Sequence, residues 1–322
     1  MGVPGTMSFV IPVRNDAARL AHCLASIRAN RPLGSEVQVI VADNGSTDGS
    51  AEVAARAGAD VLVLPGLPVA RLRNEAAARA TGDVLAFVDA DHEIGPEWIA
   101  SALDGLSATG AGGIGTLCHA PAQATWVQRA YDRLRQRSGD VIEVEWLGAG
   151  NLAVRTDAFR AVGGFDTTLE TCEDVDLCNR LREHGLTLVN EPRMYNIHFG
   201  DPPTLRRLFM GELWRGRDNL RVTLRGPLTW RSLPSLLMPL GNLAALAAGP
   251  VLALWSGQAR WLLLPLLTFA ATITLRASRM SRAASARAVR DVLENCAVAS
   301  TYEMARAVAM VARASHGVRR GA

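Results

Sequence analysis

Asp89-Ala90-Asp91 is the densest chemical signal in the sequence. Its two carboxylates follow five apolar residues, Val84 to Val88, and are separated by one small residue. On a strand both would face the same side at its carboxyl end, where ligands of open α/β sheets bind. Two hard oxygen donors there suit Mg²⁺ or Mn²⁺ bridging a diphosphate, whose leaving-group charge the metal neutralises. The same spacing also occurs in acidic turns that only cap a helix. His92 comes next, and if strand geometry persists its ring points away from both aspartates, which leaves it outside the ligand set. Asp43 closes a second apolar run; its carboxylate can accept from a base N–H or a ribose hydroxyl, or with Asn44 it makes an ordinary strand-to-helix turn. Arg73 has the fork geometry that pairs with a phosphate, or is an exposed helix residue. Glu173, Asp174 and Asp176 open a helical stretch, where the helix dipole favours acids.

The elements that position these residues follow from the apolar periodicity. From residue 8 to 91 short apolar runs alternate with helical stretches, which builds a parallel sheet covered by helices. Runs at 9–11, 37–42, 61–64 and 84–88 predict four strands, with helices over 16–30, from Asp48 as N-cap through 56, and over 68–80. The fold class is therefore α/β with a Rossmann-like half. From 112 to 199 the pattern is less regular, with apolar stretches at 114–117, 152–154 and 187–190 and a helix over 174–184. The glycines of Gly148-Ala149-Gly150 and Gly163-Gly164 suit loops whose backbone lies close to a bound sugar, or ordinary turns.

Composition excludes several chemistries. No Lys occurs, so a phosphate-loop lysine or a Schiff base is ruled out. Five dispersed cysteines without a CxxC pair speak against a zinc site or a disulfide framework and fit a reducing compartment. A net charge of +3 over 322 residues gives no sign of a nucleic-acid partner.

Leu233 to Trp255 is 23 residues without a charge, and Trp261 to Leu275 is 15 more, with Arg260 the one charge between them. About 20 apolar residues span a bilayer, so the first is a transmembrane candidate and the second a short one, the alternative being a soluble helical domain. Pro234, Pro239, Pro250 and Pro265 leave open a hairpin that only partly crosses. Arginines crowd both flanks: Arg206, Arg207, Arg215, Arg217, Arg221, Arg225 and Arg231 before, Arg276, Arg279, Arg282, Arg287 and Arg290 after. The positive-inside rule then places both flanks in the cytoplasm. The front of the chain lacks a basic region followed by a long apolar run and is expected to stay cytosolic. In the tail, Val289, Leu293, Cys296, Met304, Val308 and Val311 fall at helical spacing, which predicts an interfacial or bundle-packing helix.

Three segments in order carry a resemblance: Ser8-Phe9-Val10-Ile11-Pro12-Val13-Arg14-Asn15, Val39 through Asp43-Asn44-Gly45-Ser46-Thr47-Asp48, and Arg73-Asn74 through Gly82-Asp83 to Asp89-Ala90-Asp91. From about Ser8 to Gly211 the chain resembles family 2 glycosyltransferases of the GT-A fold. That resemblance implies that Pro12 and Arg14 lie in a nucleotide-contacting turn and that Asp43 binds the base of a nucleotide sugar, a UDP- or GDP-sugar. It also implies that Asp89 and Asp91 meet the metal, Asp89 facing the ribose as well, and that His198 completes the coordination. Asp174, beside Glu173, matches the general base of inverting enzymes. Processive members carry Gln-x-x-Arg-Trp; here Glu212-Leu213-Trp214-Arg215-Gly216 lacks the Gln and reverses the last two, which favours a single transfer per encounter. Trp214 and Arg215 then line the acceptor's approach or anchor an amphipathic segment at headgroups.

The expected organisation is a catalytic domain over 1–225, with a nucleotide-binding half at 7–111 and an acceptor half at 112–225, a membrane hairpin at 226–280 and an amphipathic cytoplasmic tail at 281–322. The expected activity is inverting transfer from a nucleoside diphosphate sugar to a lipid-linked or glycan acceptor at the cytoplasmic membrane, catalytic domain facing the cytoplasm. A nucleotidyltransferase would need a Gly-rich or basic phosphate loop after the first strand, and Pro12-Val13-Arg14-Asn15 is not one. A catalytically silent scaffold would have damaged acidic positions, yet Asp89, Asp91, Glu173 and Asp174 are all present.

Overall fold

The computed structural model describes residues 5–31, 36–136, 139–230, 233–283 and 288–317. The chain divides into two compact units, Met1–Pro121 with Arg137–Asp201, and Ala122–Gln136 with Pro202–Ala322. Arg231 and Arg287, counted above among the flanking arginines, lie outside the described residues.

In the first unit β1 (Thr6–Val13), α1 (Ala17–Ala29), β2 (Glu36–Asp43), α2 (Ser50–Arg56), β3 (Asp60–Val63), α3 (Val69–Ala77) and β4 (Val84–Val88) alternate as the apolar runs predict. Asp48 joins two helix starts, accepting from Ser50 N–H at 3.1 Å and Ala17 N–H at 2.9 Å, while Gly49, at φ 88°, stands in the N-cap position itself. Beyond β4 come β5 (His92–Ile94), α4 (Trp98–Thr109) and β6 (Gly113–Gly115). After α5 (Trp126–Arg135), which belongs to the second unit, follow β7 (Ile142–Glu143), β8 (Asn151–Arg155), α6 (Thr156–Ala161), α7 (Glu173–Glu183), β9 (Leu188–Asn190) and β10 (Asn196–His198).

Among the described residues eight strands form one sheet in the order β3-β2-β1-β4-β8-β6-β9-β7. The first four run parallel and β8 is antiparallel to β4, so the sheet is mixed. β5 and β10 make a separate antiparallel ladder in which His92 stands opposite His198. Period-2 alternation splits β4 between two cores. Val84, Ala86 and Val88 join Leu20, Leu24, Trp98 and Leu106 from α1 and α4 on one face. Leu85 and Phe87 join Leu72, Phe159, Phe165 and Leu181 on the other. Burial on both faces is why the strand reads as an unbroken apolar run.

The second unit is helical: α5, α8 (Leu205–Arg215), α9 (Asn219–Arg225), α10 (Leu233–Ser256), a 3₁₀ turn at Ala259–Leu263, α11 (Leu264–Ala283) and α12 (Val289–Gly317). α10 runs unbroken through Pro239 and Pro250. Two 24-residue stretches, Leu233–Ser256 and Ala259–Arg282, are long and apolar enough to cross a membrane, and only 28% and 6% of their apolar windows is buried. The second is longer than its charge-free core because the helix continues through Arg276 and Arg279. α12 packs against α5, α8 and α11, burying Asn295, Val298, Ala299, Glu303, Ala305 and Ala309. The stripe of Val289, Leu293, Met304, Val308 and Val311 faces outward instead. Small residues let the helices approach closely, so they, not the large apolar ones, occupy the contact face.

Phe87 is fully buried, its ring 5.3 Å from Phe159 and 5.0 Å from Phe165. Phe87→Ala removes the centre of this cluster and is expected to cost about 3–5 kcal/mol, read as a lowered Tm of the detergent-purified protein; an unchanged Tm would contradict this account of the core.

Candidate active site

The chain leaves the sheet at Val88, and Asp89-Ala90-Asp91 is a turn closed by His92 N–H donating to the Asp89 carbonyl at 3.1 Å. The two carboxylates consequently diverge. Asp89 Oδ1 lies 2.7 Å from Arg73 Nη2. Asp91 Oδ2 lies 3.3 Å from His198 Nε2 and 3.6 Å from Arg19 Nη1. The expectation that His92 points away from the aspartates is corrected here: His92 opens a different ladder, so alternation counted from β4 does not reach it. Its Nε2 is 3.8 Å from Asp91 Oδ1, and its Nδ1 is 2.5 Å from the Gly150 carbonyl.

Arg73 is only 4% exposed. Sequence reasoning offered it to a phosphate, whereas its Nη1 is 2.7 Å from Glu173 Oε1 and its Nη2 is given to Asp89. Burial of a guanidinium requires such partners. Asn74, next along α3, donates to the Phe165 carbonyl at 2.8 Å and accepts from Phe165 N–H at 2.9 Å. That pair of bonds pins the turn in which Gly163 and Gly164 take φ of 77° and 70°. The Arg-Asn dipeptide thus clamps two distant segments to α3.

Glu173 and Asp174 begin α7 behind Cys172, a non-glycine residue at φ 60°. Glu173 is spent on Arg73. Asp174 Oδ2 accepts only a long bond, 3.4 Å, from Ala149 N–H, while Oδ1 faces Val175 N–H at 2.8 Å. Burial, and then the neighbouring Glu173 charge, raise the Asp174 carboxyl to about 6. Such a carboxylate is poised to take a proton near neutral pH.

His198 Nδ1 is 2.9 Å from Oδ1 of the buried Asp201. Although burial works against its charge, the hydrogen bonds to Asp201 and Asp91 raise His198 to about 9. Burial likewise opposes ionisation of Asp91, yet His198, His92 and Arg19 hold its carboxyl well below the usual range. An anionic oxygen beside an imidazole anchored through its other nitrogen is the donor chemistry of a divalent-cation site. A Cβ at Gly200 would collide with Asp91 Oδ2 and come within 2.8 Å of His198 Nε2, so this position must stay bare. Gly150 is similar: a Cβ would lie 2.5 Å from the His92 ring and 3.0 Å from Asp89 Oδ2.

Asp43 is 1% exposed at the end of β2, and its Oδ1 accepts from Ser46 N–H at 2.7 Å. Asn44 exchanges two bonds of 3.1 Å with Leu67. Pro12 pairs in register with Ala42, and Arg14 is exposed just past the end of β1. Arg19 and Asp201 were not singled out from the sequence. Arg19 carries a signal only through Asp16, three residues earlier, which its Nη2 meets at 2.7 Å; Asp201 carries one only through its i+3 spacing from His198.

Comparison with known proteins bears on the family and the fold. The profile described as "Glycosyl transferase family 2" matches residues 8–154. The pre-mycofactocin glycosyltransferase of Mycobacterium tuberculosis is 34% identical over 199 residues, 58% of this chain, which spans 41% of that relative's length. The N-acetylglucosaminyl-diphospho-decaprenol L-rhamnosyltransferase of the same organism is 29% identical, covering 64% of this chain and 84% of its own. Among solved structures, the mannosyltransferase PcManGT of Pyrobaculum calidifontis, in complex with GDP-Man and Mn²⁺, superimposes with a TM-score of 0.63 at 15% identity over 97% of this chain and 88% of its own. Residues 8–154 thus match glycosyltransferase family 2, and the chain shares the fold of that mannosyltransferase.

Proposed function

We propose that the protein is an inverting glycosyltransferase that moves a sugar from a nucleoside diphosphate sugar to a hydroxyl or phosphate on a membrane-associated, lipid-linked acceptor. The observation that carries this reading is the unequal pair on α7: Arg73 takes Glu173 at 2.7 Å, which leaves Asp174, raised to about 6, as the carboxylate free to act. Asp174 takes the acceptor's proton as that oxygen attacks the anomeric carbon opposite the departing diphosphate, so the configuration inverts. Asp43, Pro12 and Arg14, at the carboxyl ends of β2 and β1, are assigned to the nucleotide, and Asp89 to its ribose. Asp91 and His198 are the residues that would hold a divalent cation, which supplies charge neutralisation for the leaving diphosphate.

Membrane association is supported by the exposure of Leu246, Val251, Leu254, Leu266 and Leu267 along the two apolar stretches. In a soluble protein such helices would bury these side chains. Arg206 and Arg207, exposed ahead of the first stretch, favour a cytoplasmic flank. The rhamnosyltransferase relative, whose name carries a diphospho-decaprenol acceptor, supports a lipid-linked acceptor.

A thermal-shift and hydrolysis screen of sugar nucleotides with Mn²⁺ or Mg²⁺, on detergent-purified protein, identifies the donor. With that donor, Asp91→Ala is expected to abolish transfer without unfolding the chain. Asp174→Asn is expected to slow transfer about 10²- to 10⁴-fold while sparing donor binding; normal turnover would remove Asp174 as the base. Because the base acts ionised, kcat/KM should rise with pH through about 6 and then level off. Glu173→Gln removes a like charge beside Asp174 and frees Arg73, so the acid limb should move to lower pH; an unmoved or upward-shifted limb would contradict the pairing described here.

A further inference from the structure

We propose that His92 is a third ligand of the cation site and that the resulting set, two imidazoles and one carboxylate, selects a transition-metal dication over Mg²⁺. This rests on the reading that Asp91 and His198 hold a cation.

The β5–β10 ladder is set apart from the main sheet, and its register puts His92 directly opposite His198. Directly opposed residues bring their Cβ atoms to about 4.5–5.5 Å, and the two rings here meet edge-on with centroids 4.5 Å apart. Each ring is anchored through Nδ1. His92 Nδ1 is 2.5 Å from the Gly150 carbonyl, which can only accept, and 2.9 Å from the Asn196 side-chain amide; a proton on that nitrogen satisfies the carbonyl. His198 Nδ1 is likewise 2.9 Å from Asp201 Oδ1. Both Nε2 atoms are therefore left to face Asp91, His198 at 3.3 Å and His92 at 3.8 Å. One donor atom from each of the three residues fits within a 4.8 Å span. Two ligands about 2.1 Å from one ion are roughly 3.0–3.4 Å apart at octahedral to tetrahedral angles, so three donors already within 4.8 Å of one another close on an ion by side-chain shifts of about an ångström. An anchored second nitrogen is also what fixes the tautomer of a ligating histidine.

The selectivity follows from the donors. Mg²⁺ takes oxygen and keeps its waters, whereas imidazole suits Mn²⁺, Co²⁺ and Zn²⁺ increasingly well. An aspartate pair would have restored an oxygen-rich site, but Asp89 is drawn away to Arg73 at 2.7 Å.

The test uses the full chain in detergent, without donor. Free Mn²⁺ counted by EPR gives the affinity, pulsed EPR of bound Mn²⁺ counts coupled imidazole nitrogens, and competition with Co²⁺ and Mg²⁺ gives the order. The expected results are two imidazole couplings in the wild type, one in His92→Gln, at least about a tenfold loss of Mn²⁺ affinity in that variant, and Co²⁺ displacing Mn²⁺ where Mg²⁺ at equal concentration does not. Thermal unfolding confirms that His92→Gln is folded. A single imidazole coupling in the wild type, a measurement that needs no variant, or displacement by Mg²⁺ as effective as by Co²⁺, overturns the proposal while the cation site itself stands. Failure of the wild type to bind Mn²⁺, or binding unaffected by Asp91→Ala, overturns the underlying reading instead.

Discussion

The arrangement of the first unit depends on one buried guanidinium. Arg73 cannot shed its charge, so at 4% exposure it must be met by carboxylates. Asp89, at the end of β4, and Glu173, at the start of α7, meet it at 2.7 Å each. Everything distinctive about the site follows from that bridge. Asp89 turns away from Asp91, so the Asp-x-Asp motif serves two places. Glu173 is held by the guanidinium, and the adjacent Asp174 keeps a carboxylate that burial and the Glu173 charge make basic. Asn74, on the same turn of α3, holds the Gly163-Gly164-Phe165 turn by two bonds, so the helix that carries the guanidinium also fixes the loop beside it.

Much of this was legible in the sequence, and the reasons are specific. The parallel half was readable because β4, most of β1 and the second half of β2 bury both faces and so appear as apolar runs; the run at 84–88 coincides with β4, Val84–Val88. Asp43, Asp89, Asp91 and Asp174 were legible as residues at strand or helix ends, positions that periodicity locates. What periodicity could not locate was direction. β5 is three residues long and pairs with β10, more than a hundred positions later. No local pattern announces such a pairing, and without it the orientation of His92 came out reversed. The partners of Arg73 were hidden for a related reason: they are 16 and 100 residues distant, so nothing nearby announced the buried clamp. α4 escaped notice because Trp98–Thr109 buries residues at most of its turns, and its pattern lacks a clear polar face.

The second unit inverts the usual distribution of side chains. Its interior holds charge: Glu303, fully buried, is met by Arg276 Nε at 2.6 Å, and Glu212, 2% exposed, accepts from Tyr131 Oη at 2.6 Å and Arg215 Nη1 at 3.0 Å. Its surface holds Leu254, Trp255, Leu266 and Leu267, with exposures of 87%, 85%, 66% and 65%. In water that arrangement would waste apolar area, which is worth about 25 cal/mol per Å² when buried. Against hydrocarbon the balance changes, because lipid tails accept the leucines as readily as a protein core does, and helix association then relies on close approach of small residues and on internal hydrogen bonds. α12 follows this rule through Ala299, Ala305 and Ala309 on its packed face. Asn242 and Thr272, bonded at 3.3 Å between α10 and α11, follow it through hydrogen bonding. On the membrane association proposed above, an interface that accepts the leucines of α10 and α11 also accepts Val289, Leu293 and Val308 on the outward stripe of α12.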